Sequence, residues 1–213
     1  MSTESDLMLE KKVNWLRGEI IQFADPEDLA SFTGMEYKEL NGEVCYLFNY
    51  FNKAAKLSYP GLIACDLTSN QILTTGNQAV ICYYCYSILK SGIHESRNEW
   101  VSFSELDNGR IYAKAFQGYT GDVLAKDAVL LIDKFKVIKT SLDAEPMDLG
   151  DFSFKIDVLP KVSIALVLWK EDDEFPASCN LLFNDYVNEF LPTDACAIVG
   201  SMFAHRLRNI IYK

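Results

Sequence analysis

At 213 residues, with 49% apolar and 23% charged side chains, the chain has the composition of a folded globular protein with a sizeable core. Thirty acidic residues against twenty basic give a formal charge of -10, and no run of Lys or Arg interrupts the excess. Nucleic acid and anionic membranes are therefore disfavoured as partners. No apolar run approaches the roughly 20 residues that span a bilayer. The start, Met1 to Leu7, has no basic region leading into an apolar one, so a cytoplasmic location is expected.

The first helix is expected from Ser5 to Ala24, where Leu9, Val13, Leu16, Ile20 and Phe23 recur at helical spacing. Met8 and Trp15 lie on its other side, either as a second contact surface or as groups partly covered by a loop. Asp25-Pro26-Glu27-Asp28 opens a second helix: Asp25 can accept from free backbone N–H groups, and Pro26 lacks a donor that the first turn does not need. Gly34 is its natural stop. Asn41-Gly42 is a two-residue hairpin signal between Tyr37 to Leu40 and Val44 to Phe48. A further strand is expected at Leu62 to Leu67.

From Asn77 to Lys90 the sequence is apolar on nearly every side, which places a helix in the interior, with Asn77 as cap and Gly92 as stop. Leu124, Ala128, Leu131 and Phe135 predict an amphipathic helix near 120–136. Phe152, Phe154, Ile156 and Val158 alternate with polar residues, the period of a half-buried strand. Val162 to Trp169 is apolar almost throughout, as for a strand covered on both faces. Leu181-Leu182-Phe183 is a third strand. Pro192-Thr193-Asp194 then opens a last helix to Ile211, with Ala195, Val199, Met202, Phe203, Leu207 and Ile210 facing inward. The order is helices, sheet, helices, sheet, helix. This is an α+β fold, with a mixed or antiparallel sheet packed against four to five helices. No repeat or linker divides the chain, so one domain over 1–213 is expected.

Six cysteines, without a secretory start, are expected as mostly free thiols. Cys82-Tyr83-Tyr84-Cys85 has the spacing of redox and metal sites, but it falls inside an apolar helix rather than at a helix N-terminus, where the dipole lowers a thiol pKa. No second pair completes a zinc site. His94 and His205 are the two imidazoles, available for acid–base work or for axial ligation of a macrocyclic metal. Arg206 falls within the apolar stripe of the last helix, where a charge needs a partner or a route to water.

The turn Glu171-Asp172-Asp173-Glu174 places four carboxylates between two strands, framed by Trp169 and by Phe175-Pro176. Its spacing is not that of a calcium-binding loop, and a solvated hairpin tip is the bland reading. No phosphate loop, nucleophile elbow or zinc-protease motif occurs.

Two blocks carry a resemblance. One reads Trp100-Val101-Ser102-Phe103-Ser104-Glu105-Leu106, with Gly109, Tyr112 and Phe116. The other reads Gly150-Asp151-Phe152-Ser153, Leu159-Pro160-Lys161-Val162, Trp169, Asp172-Asp173-Glu174-Phe175-Pro176 and Leu181-Leu182-Phe183-Asn184. They resemble a prokaryotic family known as a domain of unknown function, with Ser163 where that pattern often has Pro and Asn184 where it often has Asp. Some relatives look like fusions to a cysteine-rich iron–sulfur domain of the kind found in corrinoid one-carbon proteins. This chain lacks those cysteines, so a corrinoid or iron–sulfur protein would be a separate partner.

The resemblance implies an accessory protein of anaerobic metabolism that binds a corrinoid or other tetrapyrrole, or its carrier protein. The expected surface holds Trp100, Trp169, Asp172, Asp173, Glu174 and Phe175, with His205 and Arg206. A second expectation is an enzyme using Asp172, Asp173 and Glu174 with Arg206, with or without a divalent cation, since crowded carboxylates raise one another's pKa. A third is a protein-interaction domain.

Overall fold

A computed structural model describes residues 4–40, 42–90 and 99–213. Helix α1 (Glu4–Phe23) buries Val13, Leu16 and Ile20 as one stripe, with Leu9 packed at its edge. Phe23, expected inside, is 64% exposed because the contact passes to Ala24, one turn beyond Ile20. Trp15 lies edge-on to Tyr86 with ring centroids 5.3 Å apart, and the Lys12 ammonium sits 4.1 Å from its ring. Helix α2 (Pro26–Thr33) is capped as its sequence dictates. Asp25 accepts from the Glu27 N–H at 2.9 Å, and Gly34, at φ +69°, closes the helix with a bond to the Ala30 carbonyl.

Strands β1 (Glu36–Leu40) and β2 (Glu43–Tyr50) form the expected hairpin, with Gly42 at φ +79°. Asn41, the other predicted turn residue, lies outside the described residues. A second hairpin, not foreseen, turns at Phe51-Asn52, both left-handed, into β3 (Lys53–Ser58). β4 (Ala64–Asp66), the core of the expected strand at 62–67, completes a four-stranded antiparallel sheet in chain order.

Helix α3 (Thr75–Ile88) buries nearly its whole circumference, Ala79 to Cys82 together with Tyr84 and Cys85. Its cap is Thr74, three residues before the expected Asn77, which lies within the first turn. Gly92 and His94 fall outside the described residues. After β5 (Trp100–Ser102) come two 3₁₀ turns, Phe103–Glu105 and Gly109–Ile111. Four short helices follow: α4 (Ala113–Tyr119), α5 (Gly121–Ala125), α6 (Ala128–Asp133) and α7 (Phe135–Leu142). The single helix expected near 120–136 is broken at Asp127, which leaves helical geometry. Its buried carboxylate accepts from Arg208 Nε at 2.9 Å and from the Tyr212 hydroxyl, so a tertiary contact overrides local periodicity.

The remaining strands are β6 (Glu145–Met147), β7 (Phe152–Leu159), β8 (Val162–Trp169) and β9 (Ser178–Asn184), followed by α8 (Val187–Phe190) and α9 (Thr193–Ile211). They pair antiparallel in the order β5-β9-β8-β7-β6. The fold is α+β as expected, with its strands divided between two antiparallel sheets. Helical segments outnumber the four or five expected because the stretch from Ala113 to Leu142 is interrupted. One buried cluster runs through both sheets and through α1, α3 and α9. Each fully buried Leu or Phe in it contributes roughly 1.5–3 kcal/mol. The Phe51 N–H donates to the Val158 carbonyl at 3.1 Å and stitches the β2–β3 turn to β7.

Candidate functional site

The β8–β9 hairpin is built from short-range bonds. Asp172 Oδ1 accepts from the N–H groups of Glu174 (2.8 Å) and Phe175 (2.7 Å), and the Asp172 N–H donates to the Phe175 carbonyl. Those backbone donors hold the Asp172 carboxyl below its ordinary value, opposite to the rise expected from crowding. Lys170 N–H donates to Asp151 Oδ2 at 2.8 Å, and Asp151 N–H to the Leu168 carbonyl. Gly150 takes φ +58°, and a Cβ there would lie 2.9 Å from the Leu168 carbonyl and 3.3 Å from the Trp169 ring. The Gly150-Asp151 pair thus brings its loop against the strand that carries Trp169.

Trp169 is 40% exposed and Phe175 65% exposed, and Asp173 and Glu174 are exposed beside them. Next to this tip, a groove of about 460 Å³ is lined by Ala125, Val129 and Ile132 on one side and by Lys170, Glu171 and Ala177 on the other.

Trp100 does not share this wall. It pairs with Asn184 at one end of β9, whereas Trp169 pairs with Ser178 at the other. Six residues of strand separate them, about 20 Å, against the roughly 7 Å within which rings touch. His205 is exposed on α9 and lines neither the groove nor the cavity described next.

Arg206 is also placed apart from the acidic turn. Its guanidinium lies 4.5 Å from the Phe51 ring and 5.9 Å from the Tyr50 ring. It faces a cavity of about 240 Å³ walled by β3, β4 and the start of α3, with Lys53, Asp66 and Asn77 in the lining. Among the described residues it has no hydrogen-bond acceptor and no carboxylate partner. Burial lowers its pKa from the ordinary value and pushes the Tyr50 phenol up. The Tyr50 hydroxyl donates to Asn77 Oδ1 at 2.9 Å and lies 3.4 Å from the Met202 sulfur. Asn77 Nδ2 donates to Thr74 Oγ1 at 2.7 Å. Asp66 is occupied by the N–H groups of Thr68 and Ser69 and by the Ser69 hydroxyl.

Tyr50, Lys53 and Asn77 were invisible as site residues in the sequence. The one available signal was the charge of Arg206 inside an apolar stripe.

Several motif residues serve the fold. Ser102 and Glu105 close a capping box, Phe103 stacks on Phe116 at 4.1 Å, and a Cβ on Gly109 would meet the Phe103 carbonyl. Ser163 N–H donates to Asn184 Oδ1 at 2.9 Å, so the two positions that depart from the resembled pattern touch each other. Cys82 and Cys85 are buried in α3; burial pushes the Cys82 thiol up to about 11 and raises Cys85 as well. Among the described residues, no three His, Cys, Asp or Glu side chains converge as a metal-holding group. No described helix is long and apolar enough to cross a membrane.

Fold and surfaces together define an α+β protein with two antiparallel sheets, an aromatic hairpin tip and a separate cationic cavity. The chain belongs to the family described as a domain of unknown function (DUF3786), whose pattern matches residues 25–206. No curated protein and no solved structure matches it.

Proposed function

We propose that this protein is a binding protein whose contact surface is the β8–β9 hairpin, presenting Trp169 and Phe175 to a flat apolar ligand or to the protein that carries one. The supporting observation is a pair of exposed large rings, Trp169 at the end of β8 and Phe175 in the turn that Asp172 holds in shape. Such rings lose little conformational entropy on stacking, because each has two side-chain torsions and the backbone beneath is already fixed. The adjoining groove of about 460 Å³ falls within the roughly 300–1,000 Å³ of small-molecule sites.

The ligand class that the resemblance implies, a corrinoid or other tetrapyrrole, offers a flat face of this kind, and a corrinoid or iron–sulfur protein would be its carrier. Catalysis by the acidic turn is the weaker reading, since a general acid needs a raised pKa and Asp172 is held low.

The test is a fluorescence titration of the full chain with cobalamin, haemin and a purified corrinoid protein. At least one is expected to quench emission with saturation. Trp169→Phe, which keeps Trp15 and Trp100, should remove that response, and Phe175→Ala should weaken binding about tenfold. Silence with all three ligands, or unchanged quenching in Trp169→Phe, removes this reading.

A further inference from the structure

We infer that the cavity beneath Arg206 is a binding site for a small oxyanion, the phosphate or carboxylate group of a ligand, separate from the aromatic hairpin. A guanidinium presents five N–H donors in a fixed fork that matches such oxygens. In this chain the Arg206 guanidinium is half-buried, rests on the Phe51 ring and opens on a cavity, with no acceptor among the described residues. A cation in that state is costly to keep without a counter-charge, and charge-assisted bonds strengthen where water is partly excluded.

Arg208, two residues further along the same helix, has its carboxylate in Asp127. Arg17, another part-buried arginine, has neutral acceptors in the Leu62 carbonyl and Gln78 Oε1, whereas Arg206 has neither kind of partner among the described residues. Lys53 adds a second positive charge to the lining, and Asp66, whose Oδ1 is taken up by its own turn, offsets one of the two, so the lining keeps a net positive charge. The cavity is thus a local cationic exception in a chain of formal charge -10.

Tyr50 and Asn77 hold the wall rigid through their mutual bond. α3 begins at the same cavity with no side-chain cap from Thr74, which adds unpaired first-turn donors to the field. The volume, about 240 Å³, lies below the roughly 300–1,000 Å³ of drug-sized ligand sites. It suits a free anion or the anionic end of a larger molecule, not an enclosed macrocycle.

Calorimetric titration of the full chain at low ionic strength tests this, with orthophosphate and succinate as probes and uncharged succinamide as control. One or both anions should bind with saturation and raise Tm, while succinamide does neither. Whichever anion binds identifies the phosphate or the carboxylate source. Arg206→Gln should weaken binding about tenfold or more. Asn77→Asp separates binding from folding. A carboxylate in the first turn of α3 favours the helix, so Tm without anion should hold or rise while binding is lost. Failure of both anions to bind the wild-type chain, or undiminished binding to Asn77→Asp, overturns the inference.

Discussion

The β8–β9 hairpin holds its shape through Asp172 and the N–H groups two and three residues further on, whereas the Arg206 cavity joins Tyr50 to Met202 across 152 positions. The first surface is acidic and aromatic and stands in solvent; the second is cationic and recessed between β3, β4, α3 and α9. A turn closed by its own backbone can lose a residue without loosening the core. A cavity whose walls are core elements cannot. The two regions should therefore respond to mutation in opposite ways, and three measurements probe that contrast.

The largest effect is expected at Phe51, fully buried beneath Arg206 and bonded through its backbone to β7. Phe51→Ala should cost about 3–5 kcal/mol in urea denaturation and weaken anion binding, while the Trp169 response to hairpin ligands persists in the folded fraction. Loss of both binding activities in folded protein would show that the two regions are coupled.

Thiol accessibility gives an intermediate effect. Five of the six cysteines are buried, Cys65 being the exception, and burial raises Cys82 to about 11 and Cys179 to about 12. At pH 8 a membrane-impermeant thiol reagent should therefore label one site quickly and all six only after denaturation. Fast labelling of Cys82 or Cys85 would mean that α3, whose first turn lines the cavity, opens in the native state.

The smallest effect is expected at the hairpin. Asp172→Ala should leave Tm and anion binding unchanged yet alter Trp169 emission, because the bonds that place Phe175 are gone. The pH dependence has a fixed sign. With its native pKa lowered, Asp172 supports the turn fully above its ordinary value of 3.8, and that support is lost as pH falls through the lowered value. Wild-type emission should thus stay flat from neutrality to about pH 4 and change below it, and Asp172→Ala should lack the transition. An emission change centred above pH 4 would contradict this account.

Much of the fold was legible because its causes are local. Asp25, Pro26 and Gly34 specify the ends of α2 by chemistry that needs no partner. The alternation of Phe154, Ile156 and Val158 set the inward face of β7, and the run of β8, apolar but for Ser163, announced burial on both sides. β3 was missed because Lys53-Ala54-Ala55-Lys56-Leu57-Ser58 is poor in strand-favouring side chains, and its turn places Phe51 and Asn52 in a left-handed conformation without glycine. Pairing with β2 decides it. Asp127 breaks the predicted helix for a similar reason, being held by Arg208 and Tyr212 from the far end of the chain.

The candidate sites divide along the same line. The hairpin tip of Trp169, Asp172 and Phe175 is continuous in sequence and was found there. The expected company of Trp100, His205 and Arg206 was not, since strand register and helix packing, which sequence spacing does not encode, carry those residues elsewhere.

By itself, the sequence determined the α+β class, most helix and strand identities, the buried character of α3 and the exposed acidic turn, because propensity, capping and hydrophobic period act over a few residues. Only the tertiary structure decided that the strands form two sheets, that Trp100 and Trp169 stand at opposite ends of β9, and that Arg206 faces a cavity with no carboxylate bonded to it among the described residues. Those outcomes depend on which distant surfaces bury each other, and that choice is made by the whole chain at once.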